Sequence, residues 1–293
     1  MRNDTKGEDV TVTDSNSNEP TRRRVLRVTS AATVGAVGLA AGSGTASAGE
    51  LKECKNWPAA PHGYPTIDLT RNDPDPWGLN EEEICIFAHG WKGREESDDQ
   101  AYALDLALQQ AGYDEPVIVA SWASDTLNFW GAEDNADDAG VRLGRWLREE
   151  VQADASTTIR LVGHSLGARV TLGALAELGG DVVLETVSLV GAAVEDDSVC
   201  DDGRYADGIR DSADEVYSYR SEDDFTVCTI YDFSTIDSGL GCDGADCDGW
   251  WSSGSTPDNY HDVDVTNSVP GHCKYFQPDQ PIGCMDRLVD DFE

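Results

Sequence analysis

The chain has 293 residues, enough for one or two domains, and carries 56 Asp and Glu against 21 Lys and Arg, a formal net charge of -35. That surplus excludes a nucleic-acid binder working through a basic surface. Apolar segments recur regularly along the chain, which argues against an acidic disordered polymer.

Residues 1–20 are polar and show no periodicity. Thr21-Arg22-Arg23-Arg24-Val25-Leu26-Arg27 follows, then a short Ala/Gly-rich apolar run from Val28 to Ala41, then Ala46-Ser47-Ala48. The arginine pair, the apolar run and the A-x-A site resemble a twin-arginine export signal. The run is too short to span a bilayer comfortably, so no stable membrane anchor is expected. The sequence predicts a signal over residues 1–48, handled by the twin-arginine export machinery, and one secreted domain over residues 49–293.

Residues 49–82 hold Pro58, Pro61, Pro65, Pro74 and Pro76 and read as loops with one short strand, Thr66–Leu69. Glu83–Ala88 reads as a buried strand running into His89-Gly90-Trp91. Ser97-Asp98-Asp99-Gln100 has the form of a capping box opening a helix that ends at Gly112. Pro116–Trp122 is the next strand, residues 123–132 a loop with Phe129 and Trp130, and residues 133–152 an amphipathic helix. Strand, helix, strand, helix, strand predicts a parallel sheet with right-handed crossovers.

The third of these strands carries the main signal. Thr157–Val162 runs into Gly163-His164-Ser165-Leu166-Gly167, and a small-residue helix follows. A Gly-x-Ser-x-Gly turn between strand and helix forces the serine into an unfavourable backbone conformation above the carboxyl end of the sheet. Gly163 and Gly167 allow strand and helix to approach closely. The helix N-terminus favours negative charge developing at the serine. Further strands are expected at Asp181–Val190, Glu215–Arg220 and Asp262–Thr266, a long loop over residues 234–259, and a terminal helix within residues 278–292.

His-Gly after a strand, the serine elbow and Gly271-His272 after the last strand together resemble the α/β-hydrolase superfamily, in its serine esterase and lipase branch. The resemblance spans residues 83–275. It implies an α/β-hydrolase fold, a mostly parallel sheet of about eight strands flanked by helices. It implies hydrolysis of a carboxylic ester, a small molecule or a lipid, without cofactor or metal. Ser165 is the implied nucleophile, and the backbone N–H groups of Trp91 and Leu166 the implied oxyanion donors. Among the five histidines, His62 and His89 precede the serine, and His164 cannot turn back onto its neighbour's hydroxyl. His261 opens the last strand, at the wrong end of a parallel sheet, so His272 is the implied base. Asp224 stands where the superfamily places its acid; Asp223 is its neighbour, and Glu195, Asp196 and Asp197 occupy the position one strand earlier. An amidase or peptidase with the same residues, or a non-catalytic binding protein on the same fold, remain as alternatives.

All eight cysteines lie beyond residue 50, and an even number in an exported chain predicts disulfides. Spacing suggests Cys242–Cys247, Cys273–Cys284 and Cys200–Cys228, with Cys85 a buried thiol inside a strand. Connectivity does not follow from spacing. The basic residues include only five lysines. So acidic and lysine-poor a surface resembles proteins of extreme halophiles, where salt screens self-repulsion.

Overall fold

The structure is a computed structural model. It describes residues 54, 56–75, 81–153, 156–234, 238–248, 254–278 and 283–292. The expected export signal and residues Trp250 and Trp251 lie outside the described residues.

Among the described residues seven strands, where about eight were expected, form one sheet: β1 (Thr66–Asp68), β2 (Glu83–Ala88), β3 (Val117–Ser121), β4 (Thr158–His164), β5 (Leu184–Val190), β6 (Ala213–Arg220) and β7 (Tyr260–Asp264). Their order is β1-β3-β2-β4-β5-β6-β7, with every neighbouring pair parallel. β2, β3 and β4 are buried along nearly their whole length, which explains their unbroken apolar runs. Helices α1 (Ser97–Ala111), α2 (Phe129–Ala153), α3 (Gly167–Leu178) and α4 (Ala206–Ser212) alternate with these strands. Helices α5 (Phe225–Ser234), α6 (Leu240–Asp243) and α7 (Met285–Asp290) follow. This is the α/β-hydrolase fold.

From β2 the chain steps outward to β3, then returns to β4 on the other side of β2. Right-handed crossovers in opposite directions must lie on opposite faces. Accordingly Leu104 and Leu108 of α1 join one core with Cys85 and Phe87, while Leu143 of α2 and Leu172 of α3 join the other with Ile84 and Ile86. The reversal opens a crevice at the carboxyl ends of β2 and β4, where ligands of such sheets bind. β2 delivers His89-Gly90-Trp91 to that crevice, and β4 delivers Ser165.

Besides β5 opening at Leu184 rather than Asp181, and α6 lying inside the expected 234–259 loop, four details differ from the sequence-based expectation. Glu96, not Ser97, caps α1, and no side chain bonds the helix start; Ser97 Oγ donates instead to Ser121 Oγ at 3.3 Å. α2 begins at Phe129, so the expected loop loses its aromatic end to the helix. β7 lies two residues earlier than expected, at 260–264. The disulfides are Cys54–Cys273, Cys200–Cys247 and Cys228–Cys242, and Cys85 and Cys284 are buried thiols. The expected Cys242–Cys247, Cys273–Cys284 and Cys200–Cys228 pairs do not form. Pairing requires Cα atoms within reach, here 5.1–5.5 Å, and chain folding rather than sequence spacing decides which are.

Helices α2 and α3 lie unusually close. A β-carbon on Gly140 would come within 2.9 Å of Gly173 Cα and of the Val170 carbonyl oxygen. One on Gly144 would come within 2.8 Å of the Ala174 carbonyl. These are backbone atoms, so no rotamer change relieves the clash. Gly140→Ala is expected to cost about 1–3 kcal/mol, as overpacking does, despite alanine's better helix propensity. Thermal unfolding in molar salt checks it, and an unchanged or higher Tm would refute the close-packing account.

Candidate active site

Ser165 leaves β4 with φ 56°, in the left-handed region that a non-glycine residue avoids. Neighbours hold it there. Its N–H donates to the Val190 carbonyl at 3.2 Å, and its own carbonyl accepts from Ala193 at 3.1 Å and Ala168 at 3.0 Å. Two glycines permit the turn. A β-carbon at Gly163 would lie 2.7 Å from the Gly167 carbonyl oxygen, and one at Gly167 would lie 1.9 Å from the Ala88 carbonyl oxygen. α3 therefore starts immediately behind the serine, with its positive end toward it.

The turn after β2 lies against Ser165. A β-carbon at Gly90 would stand 2.8 Å from Ser165 Cβ and 3.3 Å from its hydroxyl. His89 fixes this turn. Its Nε2 accepts the Trp122 backbone N–H at 3.2 Å, so the proton sits on Nδ1, which donates to the Gly90 carbonyl at 3.0 Å. The Trp122 indole donates to the His89 carbonyl at 2.8 Å, and the two rings stack. Burial holds the His89 pKa down to about 4, so the neutral tautomer persists. With the Gly90 carbonyl drawn to this side, a trans peptide turns the Trp91 N–H the other way. Neither the Trp91 nor the Leu166 N–H finds an acceptor among the described residues.

His272 enters from the loop after β7, and Asp224 from the end of β6. His272 Nδ1 donates to Asp224 Oδ2 at 2.8 Å, and Asp224 is fully buried. Asp224 also caps α5, its Oδ1 accepting the Val227 N–H at 3.2 Å. The other acid candidates stand elsewhere. Glu195 pairs with buried Arg169 at 3.2 Å, in a cluster with Glu133 and Asp137. Asp196 accepts the Ser238 N–H. Asp197 and Asp223 are exposed. His261 pairs with Glu215 at 2.6 Å near the opposite end of the sheet.

Ser165, His272 and the 90–91 turn line one cavity of about 370 Å³. Trp91, Phe129 and Ile230 supply apolar wall; Lys92, Glu95 and Glu96 supply charge. Among the described residues no cluster could hold a metal ion, and no helix is long and apolar enough to cross a membrane.

Two contacts around His272 and Asp224 had no separate sequence signal. His164 Nε2 donates to the His272 carbonyl at 3.0 Å, its ring 4.7 Å from that of His272. Tyr275 donates its hydroxyl to Asp224 Oδ2 at 3.2 Å. His164 is buried, and burial followed by the nearby His272 holds its pKa down to about 3.

Residues 79–190 match a family model described as "Putative serine esterase (DUF676)". The match takes in the His89-Gly90-Trp91 turn and Ser165 but stops short of Asp224 and His272. No curated protein matches the chain. Solved structures similar to it include a cutinase-like protein from a Cryptococcus species, at 12% identity and TM-score 0.38, covering 74% of this chain and 90% of that one. An α/β serine hydrolase without lid from Xanthomonas campestris shows 16% identity and TM-score 0.39, covering 74% and 82%. A Coxiella burnetii α/β serine hydrolase homologue shows 14% identity and TM-score 0.39, covering 74% and 86%.

The neutral state of His164 has a pH consequence. Its folded pKa lies below the unfolded value near 6.5, so the unfolded chain takes up a proton first as pH falls. Stability should therefore fall from about pH 6.5 toward pH 3 by up to ~1.4 kcal/mol per unit from this group. Urea unfolding at fixed molar salt should show a shallower pH dependence for His164→Gln than for wild type. Equal slopes would contradict a buried neutral imidazole.

Proposed function

We propose that the chain is a serine hydrolase that cleaves a carboxylic ester through an acyl-enzyme, with Ser165, His272 and Asp224 as nucleophile, base and acid. The observation that carries the proposal is the buried 2.8 Å Asp224–His272 contact at a cavity shared with a serine in a left-handed elbow. A serine hydroxyl is a weak nucleophile until a base takes its proton. Because Nδ1–H is committed to Asp224, the Nε2 lone pair of His272 is the one free to accept it. The carboxylate then steadies the imidazolium, which returns the proton to the leaving alcohol. Water repeats the cycle on the acyl-enzyme. The carbonyl oxygen, negative in each tetrahedral intermediate, would be met by the Trp91 and Leu166 N–H groups, each worth on the order of 3 kcal/mol.

The cavity supports a modest apolar acyl group. Its volume is at the small end for ligand sites. Its apolar side is Trp91, Phe129 and Ile230, while exposed Leu127, Trp130 and Phe225 neighbour the lining residues in sequence. Export by the twin-arginine route belongs to the same proposal, supported by Arg22–Leu26, Ala46-Ser47-Ala48 and three disulfides. N-terminal sequencing of secreted protein should begin at Gly49. A net charge of -35 supports a requirement for salt, so activity should fall on dialysis to about 0.01 M, where screening reaches ~30 Å. Full activity there would refute that requirement.

The decisive experiment pairs fluorophosphonate labelling with turnover of p-nitrophenyl esters and the matching anilides. Wild type should label once and favour the esters. Ser165→Ala should lose the label and at least ~10³ in kcat while remaining folded. Labelling at another residue, or retained turnover, would overturn the nucleophile; preferred anilide turnover would make the enzyme an amidase.

A further inference from the structure

Asp224 is a buried carboxylate with more than one partner. His272 Nδ1–H and the Tyr275 hydroxyl both donate to the same oxygen, Oδ2, at 2.8 and 3.2 Å. The Tyr275 ring is fully buried, and Gly191 makes room for it: with φ 56°, a β-carbon there would lie 2.7 Å from Tyr275 Cε2 and 2.9 Å from Asp224 Oδ2. The Tyr275 carbonyl is held in turn by the Cys284 N–H at 3.2 Å. The phenol is therefore positioned from both ends of its residue.

We propose that Tyr275 is a positioning residue of the acid–base pair, whose hydroxyl shares Asp224 Oδ2 with His272 and so weakens the carboxylate's hold on the imidazolium. The inference rests on the Ser165–His272–Asp224 reading above. A donor to a carboxylate draws charge from the oxygen it touches. Less charge facing Nδ1 means less stabilisation of the protonated ring. The base then stays available to lower pH than it would beside a carboxylate bonded to histidine alone.

The other groups facing the pair are few. His164, at the end of β4, is neutral above about pH 3. Cys284 is a buried thiol whose pKa is pushed up by burial, so it is uncharged. Burial and then Asp224 keep the Tyr275 phenol protonated. Lys92, Glu95 and Glu96 line the same cavity and are unaltered by the substitutions below. None of these gains or loses charge with a change at Tyr275, so the comparison isolates the phenol.

The test is the pH profile of kcat/KM for p-nitrophenyl butyrate, at fixed molar salt. Tyr275→Phe removes the donor and should move the acidic limb up by at least ~0.5 unit, about a threefold loss on that limb. Site-specific 3,5-difluorotyrosine at position 275 keeps the ring and strengthens the donor, so the limb should move down. It also serves if the Phe variant fails to fold. A limb unmoved in the folded fluorinated protein overturns the proposal, as does a Phe variant that loses stability with its limb in place. Wild type without ester turnover or fluorophosphonate labelling would instead overturn the hydrolase reading itself.

Discussion

A β-carbon at Gly167 would sit 1.9 Å from the Ala88 carbonyl oxygen, so α3 can begin only where the side chain is a hydrogen. That contact sets the depth at which α3 lies on β2 and β4. Gly163 permits the same approach from the strand side. With the helix so close, the residue between strand and helix has no relaxed conformation, and Ser165 takes φ 56°. The cost is met by three backbone hydrogen bonds around the serine and by the cores on both faces of the sheet. The same closeness puts the end of β2 beside the serine, where His89 can aim the 90–91 peptide.

Around that fixed point the remaining groups arrive on longer tethers. Asp224 is anchored twice, as the cap of α5 and by the Asp223 N–H to Ser221 Oγ just before it. Ser221 Oγ itself donates to the Val269 carbonyl at 2.6 Å, tying the acid turn to the loop that brings His272. His164 holds the same loop by the His272 carbonyl. The Asp224 turn and the His272 loop are thus joined independently of the contact between their side chains. Neutral His164 suits this role, because a charged imidazole there would disfavour a positive charge on the neighbouring His272 ring.

The sequence made the centre of the sheet legible and its periphery much less so. Buried parallel strands are continuous apolar runs, so β2, β3 and β4 could be bounded within a residue or two. The Ser165 turn could be assigned because its glycines answer a backbone requirement. Chain order alone ranked Asp224 above the other acid candidates, and in the structure it is the one that meets His272. The structural reason is Arg169, a buried cation that takes Glu195 for itself across 26 residues. No local pattern announces such a pairing. Ser97 fits a capping box by composition, yet its hydroxyl meets Ser121 on β3, a contact that depends on the sheet. The disulfides failed for the same reason, since Cys54–Cys273 and Cys200–Cys247 join segments far apart in sequence that the fold brings together. Tyr275 is three residues from His272, but nothing in that spacing shows that its hydroxyl turns back to the acid.

The Cys54–Cys273 bond joins the residue next to His272 to a point 219 residues away, and Cys54 also lines the cavity. Closing so large a ring removes on the order of 5 kcal/mol of freedom from the unfolded chain in the chain-entropy description. In the folded chain the two Cα atoms stand 5.2 Å apart across the whole intervening sheet. A reduced molecule would lack both that constraint and the tether beside His272. With the bond in place, the loop beside His272 is held from the segment ahead of the first strand as well as from the last strand, so the two far ends of the domain meet at the cavity.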